Sequence, residues 1–389
     1  MSLPLIINGF EDLNMPKRVF PLLSDREFVK RQRVIQTLTD ALLSAEAKAV
    51  TAHAFYSGMI QEVSTIIKLK KKTILAKEFL HEFVVSGWGK QLGQYVDIKT
   101  IEDSGVTEHD ALRIAQLAVR SGTVLFAIYN VLREDYQQYY LSIHHALADE
   151  HTLMIMRDLV QIACTGEVDL ALHTMKQGRQ IYSRYVAHQL MSAKDASALA
   201  EPGHYPMIPV RLSERGRLAW DTRVERISLH RIVQTGNIDK KEQLIEIVLE
   251  MLGKTTDVVQ EGNTVCSSRS WRLPHESGAI GMMTGLFAMP FGWPEYTPSK
   301  LQTSLEACAR YSSVLSEMLT CCRVSELFIN GAVSRGIPSY QVISSTFPVG
   351  IDIKRINASE IRLEIEGAFC SRAAANDLLN ELAYELSDR

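Results

Sequence analysis

Apolar positions change their spacing several times along the chain, and each change predicts an element. From about Leu38 to Ile67 they recur at helical intervals, after a charged stretch from Asp25 onward that also reads as helix. Met1 to Pro21 lacks such order and is expected to be a poorly structured lead. Val124 to Leu132 is rich in β-branched and aromatic residues and predicts a strand. Arg133, Glu134 and Asp135 make a polar turn, and Gln137 to Ile143 returns as the second strand of an antiparallel hairpin. From Thr152 the residues Leu153, Ile155, Met156, Leu159 and Val160 fall at helical spacing. The segment His144-His145-Ala146-Leu147-Ala148-Asp149 therefore sits at a strand-to-helix connection, where a rigid scaffold can hold an exposed loop.

A polar, less periodic stretch over 193–214 contains Glu201-Pro202-Gly203-His204-Tyr205-Pro206 and Pro209, and reads as a linker. It divides the chain into 1–192 and 215–389. The second part predicts a strand from Arg223 to Leu229 and a helix from Lys241 to Leu252. A Gly- and Met-rich strand follows from Ile280 to Pro290, then a strand from Arg362 to Ile365. The chain closes on a helix from Arg372 to Leu386, with Leu378, Leu379, Leu382 and Leu386 on one face. Strands and helices mix in both parts, so the fold class is α/β or α+β.

Composition narrows the function classes. The 389 residues are 46% hydrophobic and 22% charged, an ordinary globular balance large enough for two coupled domains. A formal net charge of -3 supplies no field for nucleic acid. No apolar run reaches the length of a membrane span, and the N-terminus lacks the basic start of a signal peptide. Cys164, Cys266, Cys308, Cys321, Cys322 and Cys370 are scattered without a CxxC pair, which points to free thiols in a reducing cytoplasm. Cys321-Cys322 lies in an apolar helical neighbourhood and reads as core. No GxGxxG or GxxxxGK[ST] run is present, so a nucleotide cofactor has no support.

The run from His144 to His151 is the one dense collection of chemical groups, and three readings of it compete. In the first, both histidines are structural, and strand alternation sends them to opposite faces so that only one meets a given cavity. In the second, His145, Asp149 and His151 hold zinc or iron, although their spacing matches neither the HExxH helix nor a Cys/His finger. In the third, an imidazole takes a proton during acyl transfer.

The third reading carries a resemblance. HHxxxD, read here as His144-His145 with Asp149, is similar to the signature of the condensation domains of nonribosomal peptide synthetases, and the shorter HxxxD is shared by relatives of theirs that include chloramphenicol acetyltransferase. Upstream, Ser121-Gly122-Thr123-Val124-Leu125-Phe126 resembles the start of the strand that precedes the family's hairpin. Downstream, Ser268-Arg269-Ser270-Trp271-Arg272-Leu273-Pro274 and Ile280-Gly281-Met282 resemble its arginine and following strand. The likeness covers most of Leu117 to Arg389.

It implies two chloramphenicol-acetyltransferase-like halves forming a V-shaped pseudo-dimer, with the site between them. His145 is then the catalytic base. His144, Asp149, Arg269 and Arg272 support the site, the aspartate turned from the pocket and paired with one of the two arginines. It further implies that the enzyme binds no cofactor or metal. Substrates arrive as phosphopantetheine thioesters on acyl or peptidyl carrier proteins and react with a small amine or alcohol. A coenzyme A-dependent transferase, or a non-catalytic domain that recruits carriers, are the alternatives. Two departures stand out. Glu150 replaces the glycine of HHxxxDG, which places a carboxylate in the first helical turn and takes room from a substrate channel. Thr284-Gly285-Leu286 stands where the family has an Asn-Thr pair. Lys68, Lys70, Lys71 and Lys72 form either a solvated helix end or a docking patch for an acidic carrier protein.

Overall fold

The computed structural model describes residues 25–44, 47–48, 50–51, 62–69, 75–102, 105–133, 136–199, 208–209, 227–235, 247–248, 250–252, 263–270, 272–290, 327–332, 349–357, 359–367 and 371–387. For 190–199, 263–270, 285–290, most of 327–332 and a few scattered positions the description is of the backbone alone. The expected lead over Met1 to Pro21, Cys321-Cys322 and Lys70 to Lys72 lie outside these residues.

The first sheet has four strands in the order β1 (Glu62–Leu69), β4 (Gln137–His144), β3 (Phe126–Leu132) and β2 (Val96–Glu102). β3 and β4 form the predicted hairpin, in register from Phe126 opposite Ile143 to Leu132 opposite Gln137. Both strands are buried on both faces. One face (Phe126, Ile128, Tyr139, Leu141 and Ile143) packs in a core with α2 (Lys77–Gly93) and α4 (Glu150–Cys164). The other (Ala127, Tyr129, Val131 and Tyr140) meets Ala111, Leu112, Ala115 and Val119 of α3 (Glu108–Arg120). The helix α1 (Asp25–Asp40) adds Val34 and Leu38 to the first core.

The predicted helical run from Leu38 to Ile67 is corrected at its end. Glu62–Leu69 is a strand, antiparallel to β4. Val63 and Ile67 face one core and Ile66 the other, so Ile66 interrupts the polar face of Glu62, Ser64 and Lys68, and Val63, Ile66 and Ile67 also fit a helical period.

The long helix α5 (Val168–Leu199) continues into the expected linker, making 193–199 helical. Beyond it lies a seven-stranded sheet. Its path runs β5 (Ile208–Pro209), β7 (Asn263–Ser270), β9 (Leu327–Ala332), β10 (Val349–Arg355), β11 (Glu360–Gly367) and β6 (Ile227–Gln234), with β8 (Thr284–Pro290) paired to β7. Ile351, Ile353, Ile361, Leu363 and Ile365 form one apolar face against Leu378, Leu379, Leu382 and Leu386 of α6 (Arg372–Ser387). No described helix is long and apolar enough to cross a membrane.

The predicted strand from Ile280 begins only at Thr284. Residues 278–283 instead form a loop seated on the first half of the chain. Ile280 and Met282 enter its core, and Ala279 and Met283 pack with Tyr182 and Val186 of α5. Backbone groups that a strand would give to a neighbour go elsewhere. The Ile280 amide donates to the Gly178 carbonyl at 3.0 Å, and the Gly281 amide to Thr152 Oγ1 at 3.0 Å. The Ser44 hydroxyl donates to the Met282 carbonyl at 2.7 Å. Arg179 Nη1 donates to the Ile280 carbonyl at 2.9 Å while the guanidinium lies 4.4 Å from the Tyr182 ring centroid.

Only glycine fits at 178. A Cβ there would lie 2.7 Å from the Gly278 carbonyl oxygen and 2.6 Å from Ile280 Cδ1. Gly178→Ala is expected to lift the loop from α5 and destabilise the fold by ~1–3 kcal/mol, the usual cost of overpacking. A thermal melt indistinguishable from wild type would show that the loop is not held by this contact.

Candidate active site

His144 ends β4 and is fully buried. Its Nδ1 accepts from the Ala146 amide at 3.1 Å, so the ring proton resides on Nε2, which is buried without a hydrogen-bond partner. Burial, followed by the neighbouring His145 and Arg31 charges, pushes its pKa down to about 3. His144 is therefore a neutral, structural histidine at physiological pH.

His145 has left the strand and stands in a turn over 145–147, partly exposed. Turn geometry, rather than the expected strand alternation, separates the two rings. His145 Nδ1 lies 2.9 Å from the Ala148 carbonyl oxygen, which can only accept. The proton is thus on Nδ1, and Nε2 carries the free lone pair. Burial lowers the His145 pKa, opposed by the Ala148 carbonyl and the Asp149 charge. Nε2 is available as a base near neutrality.

The loop is pinned from several sides. The Leu147 amide donates to the His144 carbonyl at 2.9 Å, and Trp88 Nε1 of α2 donates to the Leu147 carbonyl at 3.3 Å. Asp149 caps α4, accepting from the Thr152 amide at 3.0 Å on Oδ1.

Arg272 grips the same carboxylate through both terminal nitrogens, with Nη1 2.5 Å from Oδ2 and Nη2 2.8 Å from Oδ1. The Met283 amide and the Thr284 hydroxyl donate to Oδ2 at 3.0 and 3.1 Å. Arg272 Nη2 also reaches the Gly281 carbonyl at 2.9 Å and Thr152 Oγ1 at 3.1 Å. The ion pair is nearly solvent-free, its side chains 5% and 2% exposed. Burial alone would raise the Asp149 pKa, but the Arg272 charge and the converging donors hold it down to about 2. Asp149 is spent on structure and stays ionised.

Arg272 is thus the arginine of the pair. Arg269 lies in β7 with its backbone opposite Gly285, and its side chain is outside the described set. The three proposed metal ligands do not converge. Asp149 turns to Arg272, and His151 Nε2 donates to the Ser277 carbonyl at 2.6 Å. Among the described residues no group of three or more His, Cys, Asp or Glu side chains could hold a metal ion. Lys68 pairs with Glu108 at 2.8 Å.

Sequence reasoning missed Trp88, Thr152, Ser44 and the backbone of Gly281 and Met283. Thr152 alone had a local signal, the third-residue spacing from an Asp at a helix start.

No protein-family model matches the chain, and no curated protein matches it in sequence. Solved structures do. The X-domain from teicoplanin biosynthesis matches at TM-score 0.58 and 12% identity, over 90% of this chain and 95% of that one. The condensation domain from the Monacolin K polyketide synthase MokA matches at 0.56 and 10%, over 89% and 96%. The chain has a condensation-domain-like fold. The starter condensation domain of rhizomide synthetase RzmA, mutant R148A with C8-CoA, matches at 0.54 and 9%, over 89% and 94%. Within this condensation-like fold, HHxxxD occupies the loop between β4 and α4.

Asp149→Ala leaves Arg272 buried without its counter-charge and is expected to lose ~3–5 kcal/mol of stability. His145→Ala should melt near wild type. Identical melting curves for the three proteins would contradict this division. Acid should act in two windows. His144 binds its proton more weakly folded, at about 3, than at its ordinary 6.5, so stability falls as pH drops below 6.5. Asp149, at about 2 against 3.8, adds about 2 kcal/mol that is lost only as pH falls from about 4 to about 2. His144→Asn should shrink the first window to the share left by His145, whose pKa burial also lowers, and leave the second in a pH series of denaturant melts.

Proposed function

We propose that the protein is a condensation-type acyltransferase, joining a thioester-borne acyl group to an amine or hydroxyl acceptor. The observation that carries this is the tautomer of His145. Its Nδ1 proton is held by the Ala148 carbonyl, and Nε2 is left as acceptor on a loop fixed by a buried ion pair.

The acceptor nitrogen or oxygen attacks the thioester carbonyl. A C–N or C–O bond forms, the C–S bond breaks, and the thiol leaves. His145 Nε2 takes the acceptor's proton and returns it to the departing sulfur. With an already neutral amine the ring mainly positions the nucleophile. Asp149 and Arg272 act through the loop and touch no reacting atom.

Carrier proteins bearing phosphopantetheine arms are the proposed donors. Coenzyme A thioesters are an alternative, supported by the fold likeness to a starter condensation domain bound to C8-CoA. In either case the donor brings its own pantetheine arm, and the protein needs no resident cofactor. A second reading, a domain that recruits a partner without chemistry, draws on the likeness at TM-score 0.51 and 12% identity to an X-domain in complex with OxyB.

Intact-protein mass spectrometry of acyl-loaded carriers, mixed with amine and alcohol acceptors, tests the reading. Thioester loss should require both an acceptor and His145. His145→Ala should slow it ~10²–10⁴-fold, more for alcohols than amines. Activity should fall at acid pH as Nε2 protonates, with the midpoint below the ordinary imidazole value of about 6.5, because burial disfavours the cation. Carrier binding without thioester loss across a broad acyl panel would favour recruitment.

A further inference from the structure

Trp88 stands between two glycines in α2, and each of them has a structural reason. A Cβ at Gly87 would lie 3.0 Å from Met175 Sδ of α5, so the two helices approach closely there. Gly89 has a φ of 78°, which interrupts the helical geometry directly after the tryptophan. The indole is 6% exposed and set among packed groups. Its ring centroid lies 5.0 Å from that of Phe126 in β3 and 5.7 Å from the Arg179 guanidinium of α5. Arg179 in turn holds the Ile280 carbonyl at 2.9 Å, and so ties the indole to the loop over 278–283.

From this seat Nε1 donates to the Leu147 carbonyl at 3.3 Å. Leu147 is 1% exposed, so a carbonyl that lost this donor would have little water to replace it and would gain by turning toward another donor. A peptide unit turns as a plane. The plane that carries the Leu147 oxygen ends at Ala148, and the Ala148 carbonyl is the group that accepts from Nδ1 of His145 at 2.9 Å. On the other side Asp149 is fixed twice. Its side chain is paired with Arg272, and its carbonyl accepts from the Leu153 amide at 3.0 Å. Ala148 is thus one residue hung between two anchors, Trp88 acting on Leu147 and Arg272 acting on Asp149. Its two soft dihedrals aim its carbonyl, and the ion pair restrains them from one end alone.

We propose that the Trp88 N–H is a positioning donor for the reaction. By holding the Leu147 carbonyl it aims the Ala148 carbonyl at Nδ1 of His145, and so keeps Nε2 as the basic nitrogen. Trp88 acts through the backbone and is not itself a catalytic residue. Its effect on the His145 tautomer is independent of the reaction, and its effect on rate rests on the acyl-transfer reading.

Two replacements remove the N–H and keep an aromatic ring. One is Trp88→Phe. The other is benzothienylalanine in place of Trp88, which keeps the indole outline with sulfur where the nitrogen was. Imidazole nitrogen NMR of histidine-labelled protein, with His145→Ala to assign the ring, reads the tautomer without substrate. At mildly alkaline pH, where the ring is neutral, wild type should show His145 protonated at Nδ1. Both variants should show a mixture in which the Nε2–H form appears. In the carrier-thioester assay kcat should fall ~3–10-fold, the worth of one neutral hydrogen bond, with KM unchanged. A purely structural tryptophan would lower the melting temperature and move neither quantity. The benzothienyl protein decides the matter if Trp88→Phe does not fold. An unchanged Nδ1–H signal in a folded variant, or a kcat equal to that of an active wild type, overturns the proposal. A shifted tautomer with no transfer by wild type to any acceptor keeps the positioning role and removes the acyl-transfer reading. Transfer that needs His145, with the tautomer unmoved in both variants, does the reverse.

Discussion

The buried pair between Asp149 and Arg272 is the constraint on which the site depends. It lies where the end of the HHxxxD loop, the start of α4 and the loop from 278 to 283 meet. An ion pair this dry is stabilising only when its remaining hydrogen-bonding capacity is met. Here the Thr152 and Met283 amides, the Thr284 hydroxyl and the Gly281 carbonyl meet much of it. The carboxylate does for the loop what a metal ion does elsewhere, gathering distant backbone segments around one charge.

This arrangement explains why three adjacent polar groups have such different chemistry. His144 and Asp149 are both ionisable and both inside the protein, yet one is neutral and the other charged. His144 has a single amide donor to Nδ1 and no counter-charge, so burial dominates. Asp149 has a guanidinium and two amides, so attraction dominates. His145, held through Nδ1 and partly open to solvent, keeps a basic nitrogen. Position along six residues of chain is less informative than the partners each group meets.

The hairpin of β3 and β4, the helix from Glu150 and the terminal helix were legible because their apolar spacing is regular and their ends carry turn or capping residues. The strand from Glu62 was not, because Val63, Ile66 and Ile67 stand three and four positions apart and so fit a helical period as well as a strand. The site was half legible. The doubled histidine and the aspartate four positions on could be read directly, and the resemblance supplied an arginine partner. The choice of Arg272 could not be read, because it depends on how a segment more than a hundred residues away returns to α4. The loop from Ile280 was misjudged as strand for the same reason, since its amides are satisfied by side chains of distant helices.

That return has a consequence for how the molecule is made. Ile280 and Met282 complete the hydrophobic core built around the first sheet, and Arg272 completes its loop. Until those residues leave the ribosome, Asp149 is a carboxylate without its counter-ion and the core has an open wall. The core around the first sheet is therefore completed only by residues made late in synthesis. Its last step waits for a contact of long sequence separation, the kind that slows folding and prolongs exposure of apolar surface. Acceptance of the late segment is the event that turns a nascent sheet into a site.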